Sequence, residues 1–343
     1  MTFDQAVAPR AVVAVAASAG GVEALTEFVS VLPADFPATL LVVLHIPPAG
    51  PSVLPNILAR ASKLPARHPD DGEALAEGVI LVAPPDRHML VEDSCVGVRA
   101  GPRQNGHRPA ADVLMRSVAE VFGDRCAGVV LSGTMDDGAA GLRAIRAVGG
   151  LAVVQDPERA AFPGMPLAAI HEGEPHFVGP AAALAERVLQ WLDELPASRA
   201  TLNLAPAEDP VEELGGDDEM ADLTPLTCPE CGGTLWHRHD YGAERYRCRV
   251  GHTFSADGLM LGKQAALESA LWAAIVALEE RAEVSRRIAR RLEFAGRSAR
   301  LARYQADSAH AEQRAGMLRD LIRELIQGVD VSYAGDEIDN AAD

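Results

Sequence analysis

Residues 11–25 read AVVAVAASAGGVEAL, and residues 126–142 read CAGVVLSGTMDDGAAGL. In each stretch a strand-length run of Val, Ala and Leu ends in a serine and glycines, and a helical pattern follows. Continuous apolar runs are typical of parallel strands that helices cover on both faces. Similar runs are ATLLVVLH, GVILVAPP and GLAVVQD. This strand–helix alternation predicts a doubly wound α/β domain with a mostly parallel sheet over residues 9–194.

The chain changes character three times after this domain. Residues 195–226 are rich in Pro, Gly and acidic side chains, which predicts a solvated linker. Residues 227–256 form a compact module with cysteines and histidines. Residues 260–328 are almost free of Gly and Pro, with Leu and Ile at helical spacing, and residues 329–343 resemble a tail. We expect 260–328 to form an antiparallel helical hairpin, with one long coiled coil as the alternative.

Charge and hydropathy exclude several classes of protein. The net charge of the 343 residues is -18, which argues against a general nucleic-acid or membrane-surface binder, because both partners are anionic. No signal peptide precedes the first strand, and no apolar run approaches the roughly 20 residues that a bilayer requires. Three of the five cysteines cluster with metal-ligand spacing, which suits a reducing compartment. We therefore expect a cytoplasmic protein without membrane insertion.

Chemistry-bearing residues follow three of the predicted strands. Ser18 ends the first strand, His45 ends the second, and Asp136 and Asp137 follow a later one. Each has an ordinary alternative, such as helix capping for Ser18 and the acids or a plain loop position for His45. Ligands of open α/β sheets bind at the carboxyl ends of strands, so the three side-chain types could converge there. A serine, a histidine and an acid supply a nucleophile, a base and an orienting group.

Five segments carry a resemblance to a known family. In order and spacing, VVAVAASAGGVEAL, LVVLHIPP, ILVAPPDRHM, HRPAADVLMRSVAE and GVVLSGTMDDGAAGL resemble successive blocks of the CheB-type methylesterase catalytic domain. That family hydrolyses γ-glutamyl methyl esters on bacterial chemoreceptors, and some members deamidate receptor glutamines. The resemblance implies a serine esterase in chemotaxis-type signalling that needs no catalytic cofactor. Its substrate would be a methylated chemoreceptor-like protein.

The resemblance also assigns roles to single residues. Ser18 would be the nucleophile, His45 the general base and acid, and Asp137 the group that orients His45. Asp137 is preferred to Asp136 because it directly precedes the matching GAAG segment. The expected oxyanion and substrate-positioning residues are Ala19, Gly20, Thr134, Met135, His107 and Arg108. The chain departs from the usual family pattern in two places: it has Ala19 instead of Thr after Ser18, and Gly-Thr-Met-Asp-Asp at 133–137 instead of Gly-Met-Gly-Asn/Ser-Asp, so that Met135 replaces a glycine.

Many members of the family carry a receiver domain in front of the catalytic domain. Because the first strand is predicted from about Ala11, we expect no receiver domain in this chain. Activity would then be constitutive or controlled by the C-terminal parts, and a regulatory protein partner would bind the cysteine module or the hairpin. The alternative is a non-catalytic regulatory or scaffold protein that uses these domains for partner binding. That alternative gives no reason to retain Ser18, His45 and Asp137 together.

The cysteine module has the ligand spacing of a zinc ribbon. Cys228 and Cys231 form a CxxC knuckle, and Cys248 and His252 form a CxxxH pair. Four protein ligands close a tetrahedral site, which predicts structural rather than catalytic Zn²⁺. His237 and His239 are alternative fourth ligands. Because an acidic linker separates the ribbon from the α/β domain, we expect that domain to keep its basal activity after metal removal.

Overall fold

The structure, a computed structural model, describes residues 9–46, 52–196, 222–240, 243–294 and 298–327. The chain divides into two compact units, Met1–Gly262 and Lys263–Asp343. Residues 197–221 of the predicted linker and the predicted tail lie outside the described residues.

The first unit is built on a parallel sheet. Its seven strands are β1 (Val12–Ala17), β2 (Thr39–Leu44), β3 (Ala66–Arg67), β5 (Val79–Val82), β8 (Cys126–Val130), β9 (Leu151–Gln155) and β10 (Phe177–Gly179). They lie in the order β10-β9-β8-β1-β2-β5-β3, and each neighbouring pair is parallel. The predicted fold class is therefore confirmed.

Helices cover both faces of this sheet. They are α1 (Gly21–Ser30), α2 (Leu54–Ala61), α3 (Ala111–Phe122), α4 (Ala139–Ala147), α5 (Gly164–Gly173) and α6 (Ala181–Glu194). Alternate residues of β1 enter opposite cores, because successive side chains of a strand point to opposite faces. Val13 and Val15 pack in the core with α1, α2 and α6, whereas Val12 and Ala14 pack in the core with α3, α4 and α5. The continuous apolar runs of the sequence arise from this two-sided burial.

A small antiparallel sheet adjoins α3. Its strands are β4 (Glu73–Ala74), β6 (His88–Glu92) and β7 (Cys95–Arg99), in the order β4-β7-β6. Leu90 of β6 is buried against Ala110 and Val113 at the start of α3. This sheet thus helps to fix the first turn of α3, which forms part of the candidate site.

The cysteine module is a four-stranded antiparallel sheet. Its strands are β11 (Asp222–Thr227), β12 (Thr234–Asp240), β13 (Ala243–Cys248) and β14 (Thr253–Phe254), in that order. β11 begins inside the segment predicted as linker, because Leu223 pairs with Trp236 of β12 despite the polar composition of its surroundings. Leu235, Phe254 and Leu259 form a small core around Cys228 and Cys248.

The second unit is a helical hairpin formed by α7 (Ala256–Phe294), which begins in the first unit, and α8 (Ser298–Gln327). Ile275 packs with Ala315 and Ile322. Further along the hairpin, the hydroxyl of Ser308 in α8 donates to the carbonyl of Ala282 in α7 over 3.2 Å. Later residues of α7 therefore contact earlier residues of α8, so the antiparallel hairpin is confirmed over a single coiled coil.

Among the described helices, α7 is long and apolar enough to cross a membrane by length and composition. The core helix of a soluble protein passes the same test, so one such helix is weak support for a membrane span. The later half of α7 carries charged pairs, including Arg287 with Glu283 at 2.7 Å. The cytoplasmic location stays a prediction.

Candidate functional site

The carboxyl ends of β1 and β2 place Ser18 beside His45. The two residues directly follow Ala17 and Leu44, which are register partners in the parallel ladder. The backbone N–H of His45 donates to the carbonyl of Ala17 over 3.1 Å. Neighbouring strands lie about 4.8 Å apart, so Ser18 and His45 are adjacent at this edge of the sheet. β8 lies on the other side of β1 and leads into the loop that carries Asp137.

His45 and Asp137 form a buried hydrogen-bonded pair. His45 Nε2 lies 2.7 Å from Asp137 Oδ2, and the two side chains are 6% and 0% exposed. Asp137 also accepts the backbone N–H groups of Ala111 (2.6 Å) and Asp112 (3.0 Å) at the first turn of α3. Burial alone would raise the pKa of Asp137, but the hydrogen bond and charge of His45 together with these N–H donors hold it well below its ordinary value.

The ionised state of Asp137 fixes the tautomer of His45. A carboxylate can only accept, so Nε2 carries a proton, and in the neutral form of the ring Nδ1 keeps its lone pair. His45 Nδ1 is buried and has no hydrogen-bond partner in the described part of the chain. The ring therefore presents a free basic nitrogen at the strand end next to Ser18. In the chymotrypsin triad the two ring nitrogens have the opposite roles.

His107 stacks on the ring of His45. The ring centroids are 3.8 Å apart, and the planes differ by 5°. Burial, followed by the charge of His45, lowers the pKa of His107 to about 4, so His107 is neutral at neutral pH. A neutral ring in this position fixes the plane of His45 without repelling an imidazolium. The residue expected to position substrate thus contacts the proposed base.

Arg108, the other residue expected from the same block, is bonded within the protein. Its Nη2 donates to Asp86 Oδ1 over 2.7 Å, and its Nη1 donates to the carbonyl of Gly101 over 2.7 Å. These contacts join the segment before α3 to the loop after β5. Arg108 therefore fixes the loop that carries His107.

A sharp turn holds Ser18 at the start of α1. Gly20 has φ 67°, and a Cβ there would lie 2.6 Å from Ala161 Cβ, so only glycine fits. Ser132, which sequence reasoning missed, ties this turn to the loop after β8. Its carbonyl accepts the N–H of Ser18 (2.9 Å), and its hydroxyl donates to the carbonyl of Ala19 (2.8 Å). The sequence did carry a signal for Ser132, because this serine directly follows the apolar run that contains β8.

Four backbone N–H groups, in the turn after Ser18 and in the loop after β8, are candidates for binding an anion. The N–H groups of Ala19, Gly20, Thr134 and Met135 have no acceptor within the ranges that the structure describes. The N–H groups of the flanking residues Ser18, Gly21 and Gly133 are all paired with backbone carbonyls. Unpaired N–H donors at a helix start stabilise negative charge. This arrangement can act as an oxyanion hole.

Met135 adopts a backbone conformation that favours glycine. Its φ is 68°, in the left-handed region that a residue with a Cβ enters only at a cost. The family pattern has glycine at this position. The neighbouring Gly133 lies so close to Ser18 that a Cβ there would be 2.9 Å from Ser18 Cβ. The loop therefore holds Met135 in a conformation that carries local strain.

Two further buried acids lie behind the His45–Asp137 pair. Asp112 Oδ1 accepts the N–H groups of Gly138 (2.9 Å) and Gly141 (2.8 Å) at the start of α4. Asp136 Oδ1 accepts from Asn105 Nδ2 over 3.2 Å, and burial raises the pKa of Asp136 to about 6. Asp137, not Asp136, is bonded to His45. Sequence reasoning missed Asp112, because nothing in its local pattern distinguishes it from an ordinary acid in the first turn of a helix.

A candidate metal centre lies in the ribbon. The ligand atoms of Cys228, Cys231, Cys248 and His252 all lie within 4.8 Å of one another. His252 Nδ1 is 3.6 Å from the sulfurs of Cys228 and Cys248, and the sulfurs of Cys231 and Cys248 are 3.6 Å apart. Tetrahedral zinc with Zn–S of about 2.3 Å and Zn–N of about 2.1 Å places its ligands about 3.6–3.8 Å apart. The donors therefore fit a zinc ion.

The alternative ligands His237 and His239 lie elsewhere in the ribbon. They group with Glu244 on the β12–β13 hairpin, where His237 Nε2 is 3.7 Å from Glu244 Oε1. The structure thus places His252, rather than these residues, with the three cysteines.

Comparison with known proteins shows where the chain has relatives. A family model described as CheB methylesterase matches residues 13–188. The chain is 39% identical over 169 residues to protein-glutamate methylesterase/protein-glutamine glutaminase 2 of Koribacter versatilis, covering 48% of this chain and 47% of that protein. It is 35% identical over 186 residues to protein-glutamate methylesterase FrzG of Myxococcus xanthus, covering 54% and 56% of the two chains. The chain spans about half the length of the curated relatives it matches.

A solved structure is similar over the same region. The crystal structure of the Thermotoga maritima CheB methylesterase catalytic domain matches with a TM-score of 0.51 and 30% identity. The match covers 53% of this chain and 98% of that one. The similarity therefore extends over the α/β domain.

Proposed function

The chain belongs to the CheB methylesterase family, and on that premise we propose that its α/β domain is a serine esterase acting on glutamate γ-methyl esters of chemoreceptor-like proteins. The observation that carries the proposal is the buried His45–Asp137 pair at the strand end next to Ser18. Relatives named both methylesterase and glutaminase support deamidation of receptor glutamines as a second reaction at the same site.

The geometry supports a two-step acyl transfer. His45 Nδ1 takes the hydroxyl proton of Ser18 as the Ser18 oxygen attacks the ester carbonyl, and Asp137 stabilises the resulting imidazolium. The N–H groups of Ala19, Gly20, Thr134 and Met135 stabilise the oxyanion. His45 then protonates the departing methanol. Water, activated by the same nitrogen, hydrolyses the acyl-serine and releases the glutamate side chain.

We also propose that Cys228, Cys231, Cys248 and His252 bind one structural zinc ion. The spacing of the four donors supports this metal, since thiolate and imidazole ligands suit zinc. Four protein ligands leave no position for a reacting water. Bound zinc would contribute folding energy to a module whose own core is small.

The proposed cellular setting is the cytoplasm. Zinc thiolates require cysteines that are kept reduced, which supports a reducing compartment. The proposed role is chemotaxis-type signalling, in which removal of a methyl ester restores a negative charge on the receptor. A regulatory partner at the ribbon or hairpin stays a prediction.

Labelling with a fluorophosphonate probe tests the nucleophile. We expect the probe to modify wild type at Ser18, to spare Ser18→Ala, and to modify Ser30→Ala as it does wild type. Ser30 is the matched control, because it lies exposed at the other end of α1. A wild type that resists the probe, or a Ser18→Ala variant that is still labelled, would favour the non-catalytic alternative.

A further inference from the structure

The ribbon places a buried arginine near the acids that lie behind the His45–Asp137 pair. Arg245 of β13 is 5% exposed, and its Nη2 lies 3.7 Å from Asp112 Oδ2 in α3. The same Nη2 lies 3.9 Å from Glu172 Oε2 in α5. Arg245 Nη2 has no hydrogen-bond partner among the described residues, so it interacts with these acids through charge alone.

Asp112 connects Arg245 to Asp137 and to the start of α4. Its side chain accepts the N–H groups of Gly138 and Gly141 at the start of α4, directly after Asp137. In return, Asp137 accepts the N–H of Asp112 at the start of α3. Each acid therefore caps the helix that begins next to the other. Displacement of either carboxylate would move the loop that orients His45.

The charge balance of this cluster depends on the ribbon. Asp112 faces the acids Asp136 and Asp137 on the loop after β8. Nearby cations include Arg245 and Arg116, and Arg116 Nε donates to the backbone carbonyl of Asp112 over 3.1 Å. Burial and then Asp137 raise the pKa of Asp112, and Arg245 opposes that shift. Loss of Arg245 would therefore favour a proton on Asp112.

A second contact fixes the ribbon to the same loop. Asn105 donates through Nδ2 to Asp136 Oδ1, and its Oδ1 accepts the N–H of Ser255 over 2.8 Å. The N–H of Asn105 donates to the carbonyl of Thr253 over 2.8 Å. Asn105 is buried. The end of the ribbon and the start of α7 are thus bonded to a residue that also binds the neighbour of Asp137.

We infer that Arg245 is a positioning residue of the esterase: from the ribbon it neutralises Asp112, and so it holds the loop that presents Asp137 to His45. This inference rests on the proposed esterase function. It makes the ribbon a part of the catalytic centre rather than an appended module. Arg245 does not contact the reacting atoms and acts through Asp112 and Asp137.

Four variants of the full chain test this role. Arg245→Met removes the charge and keeps the aliphatic stem, whereas Arg245→Lys keeps a charge. Asp112→Asn combined with Arg245→Met removes both charges, and the amide oxygen can still accept from Gly138 and Gly141. Arg249→Met is the matched control, because Arg249 is an exposed residue just beyond the end of β13. Ester hydrolysis and fluorophosphonate labelling are measured against pH, beside zinc content.

We expect Arg245→Met to lower kcat roughly tenfold at neutral pH, with KM little changed. Its activity should recover as the pH rises, because Asp112 then regains its charge. The double variant should lose that pH dependence, Arg245→Lys should restore part of kcat, and Arg249→Met should match wild type. If Arg245→Met does not fold, an Arg245→Lys variant that folds and loses more kcat than the double variant would contradict a role for the paired charge, because lysine keeps that charge.

Unchanged kcat and an unchanged pH profile in Arg245→Met would overturn the inference. A loss of activity that is equal at every pH and is not rescued by lysine would also overturn it, because a purely structural role predicts that result. Wild type that neither hydrolyses ester nor takes the probe would instead refute the proposed function. The two failures are therefore distinguishable.

Discussion

At the scale of single residues, Asp136 and Asp137 show how surroundings separate two adjacent acids. Both are buried, but Asp137 is bonded to His45 and to two N–H groups of α3. Asp136 accepts from the neutral amide of Asn105. Burial raises the pKa of Asp136 to about 6, whereas that of Asp137 is held low. The first acid is therefore poised to be neutral in mildly acidic solution, while the second stays charged.

Because their surroundings differ, we expect Asp136 and Asp137 to differ in how much esterase activity remains after replacement by asparagine. Asp137→Asn should lower esterase kcat by about 10³-fold or more, because the amide cannot stabilise the imidazolium. Asp136→Asn should keep activity within a few-fold, since its amide oxygen can still accept from Asn105. Kinetics of the two variants beside wild type provide the check. If Asp136→Asn were the more damaging of the two, the assignment of the triad acid would be off by one residue.

Asp136 also predicts a pH dependence of stability. The pKa of Asp136 is about 6 in the folded chain and about 4 when unfolded. The contribution of its protonated carboxyl group to the unfolding free energy is therefore fully present below about pH 4. That contribution is lost as the pH rises through about 6. Relative to wild type, Asp136→Asn should therefore gain on the order of 2–3 kcal/mol of unfolding free energy between pH 4 and pH 8.

Urea unfolding of both proteins at several pH values measures this gain. The comparison with wild type separates Asp136 from His107, whose lowered pKa has the opposite effect on stability. A difference in unfolding free energy that does not change with pH would show that folding does not raise the pKa of Asp136.

At the scale of elements, the loop after β8 combines a strained residue with the proposed oxyanion donors. Met135 has φ 68° and is half-buried. We expect Met135→Gly to change stability by between zero and about +1 kcal/mol, because relief of strain offsets the added freedom of the unfolded chain. Met135→Val should lose more than about 1 kcal/mol, because a β-branched side chain is poorly tolerated there. Chemical denaturation decides the matter, and a valine variant as stable as wild type would show that the loop is not strained.

The ribbon provides the second prediction at this scale. Purified protein should contain about one zinc ion per chain, as one site with four ligands implies. Cys248→Ser should lose the metal, whereas Cys95→Ser should keep it, because Cys95 lies in β7 outside the metal centre. Metal analysis of the three proteins provides the test. Protein that contains no zinc after purification without chelators would refute the site.

Elements with a strong local pattern could be predicted from the sequence. Because β1 and β8 are buried on both faces, their sequences are continuous apolar runs, and the turn at Gly20 requires a glycine. The ends of these strands, with Ser18 and Asp137 close behind them, could therefore be predicted. The small sheet of β4, β6 and β7 lacks such runs and was missed. Arg245 was missed for another reason: its partner Asp112 is remote in sequence, and no local period indicates which buried charges will meet.

At the scale of the whole molecule, the contacts of the ribbon change one expectation. The acidic linker suggested that the ribbon and the α/β domain act independently. Within the first unit, however, Arg245 and Ser255 of the ribbon region contact Asp112 and Asn105, which bind the loop after β8. Composition predicts a linker between the two, but it could not indicate that Arg245 and Ser255 contact the α/β domain.

We therefore expect chelation of zinc to lower esterase activity. Loss of the metal should unfold the ribbon and withdraw Arg245 from Asp112, while the two cores of the α/β domain keep its fold. Activity and circular dichroism are measured before and after chelation, and again after zinc is restored. Full activity in metal-free protein would mean that the two parts are independent after all.

The most direct test of the proposed function is release of methanol from a methylated chemoreceptor fragment. Wild type should release methanol with turnover, and Ser18→Ala should be slower by about 10³-fold or more while keeping its fold. Ser30→Ala should match wild type. Wild type that releases no methanol, or Ser18→Ala that releases it at the wild-type rate, would contradict a serine methylesterase built on Ser18, His45 and Asp137.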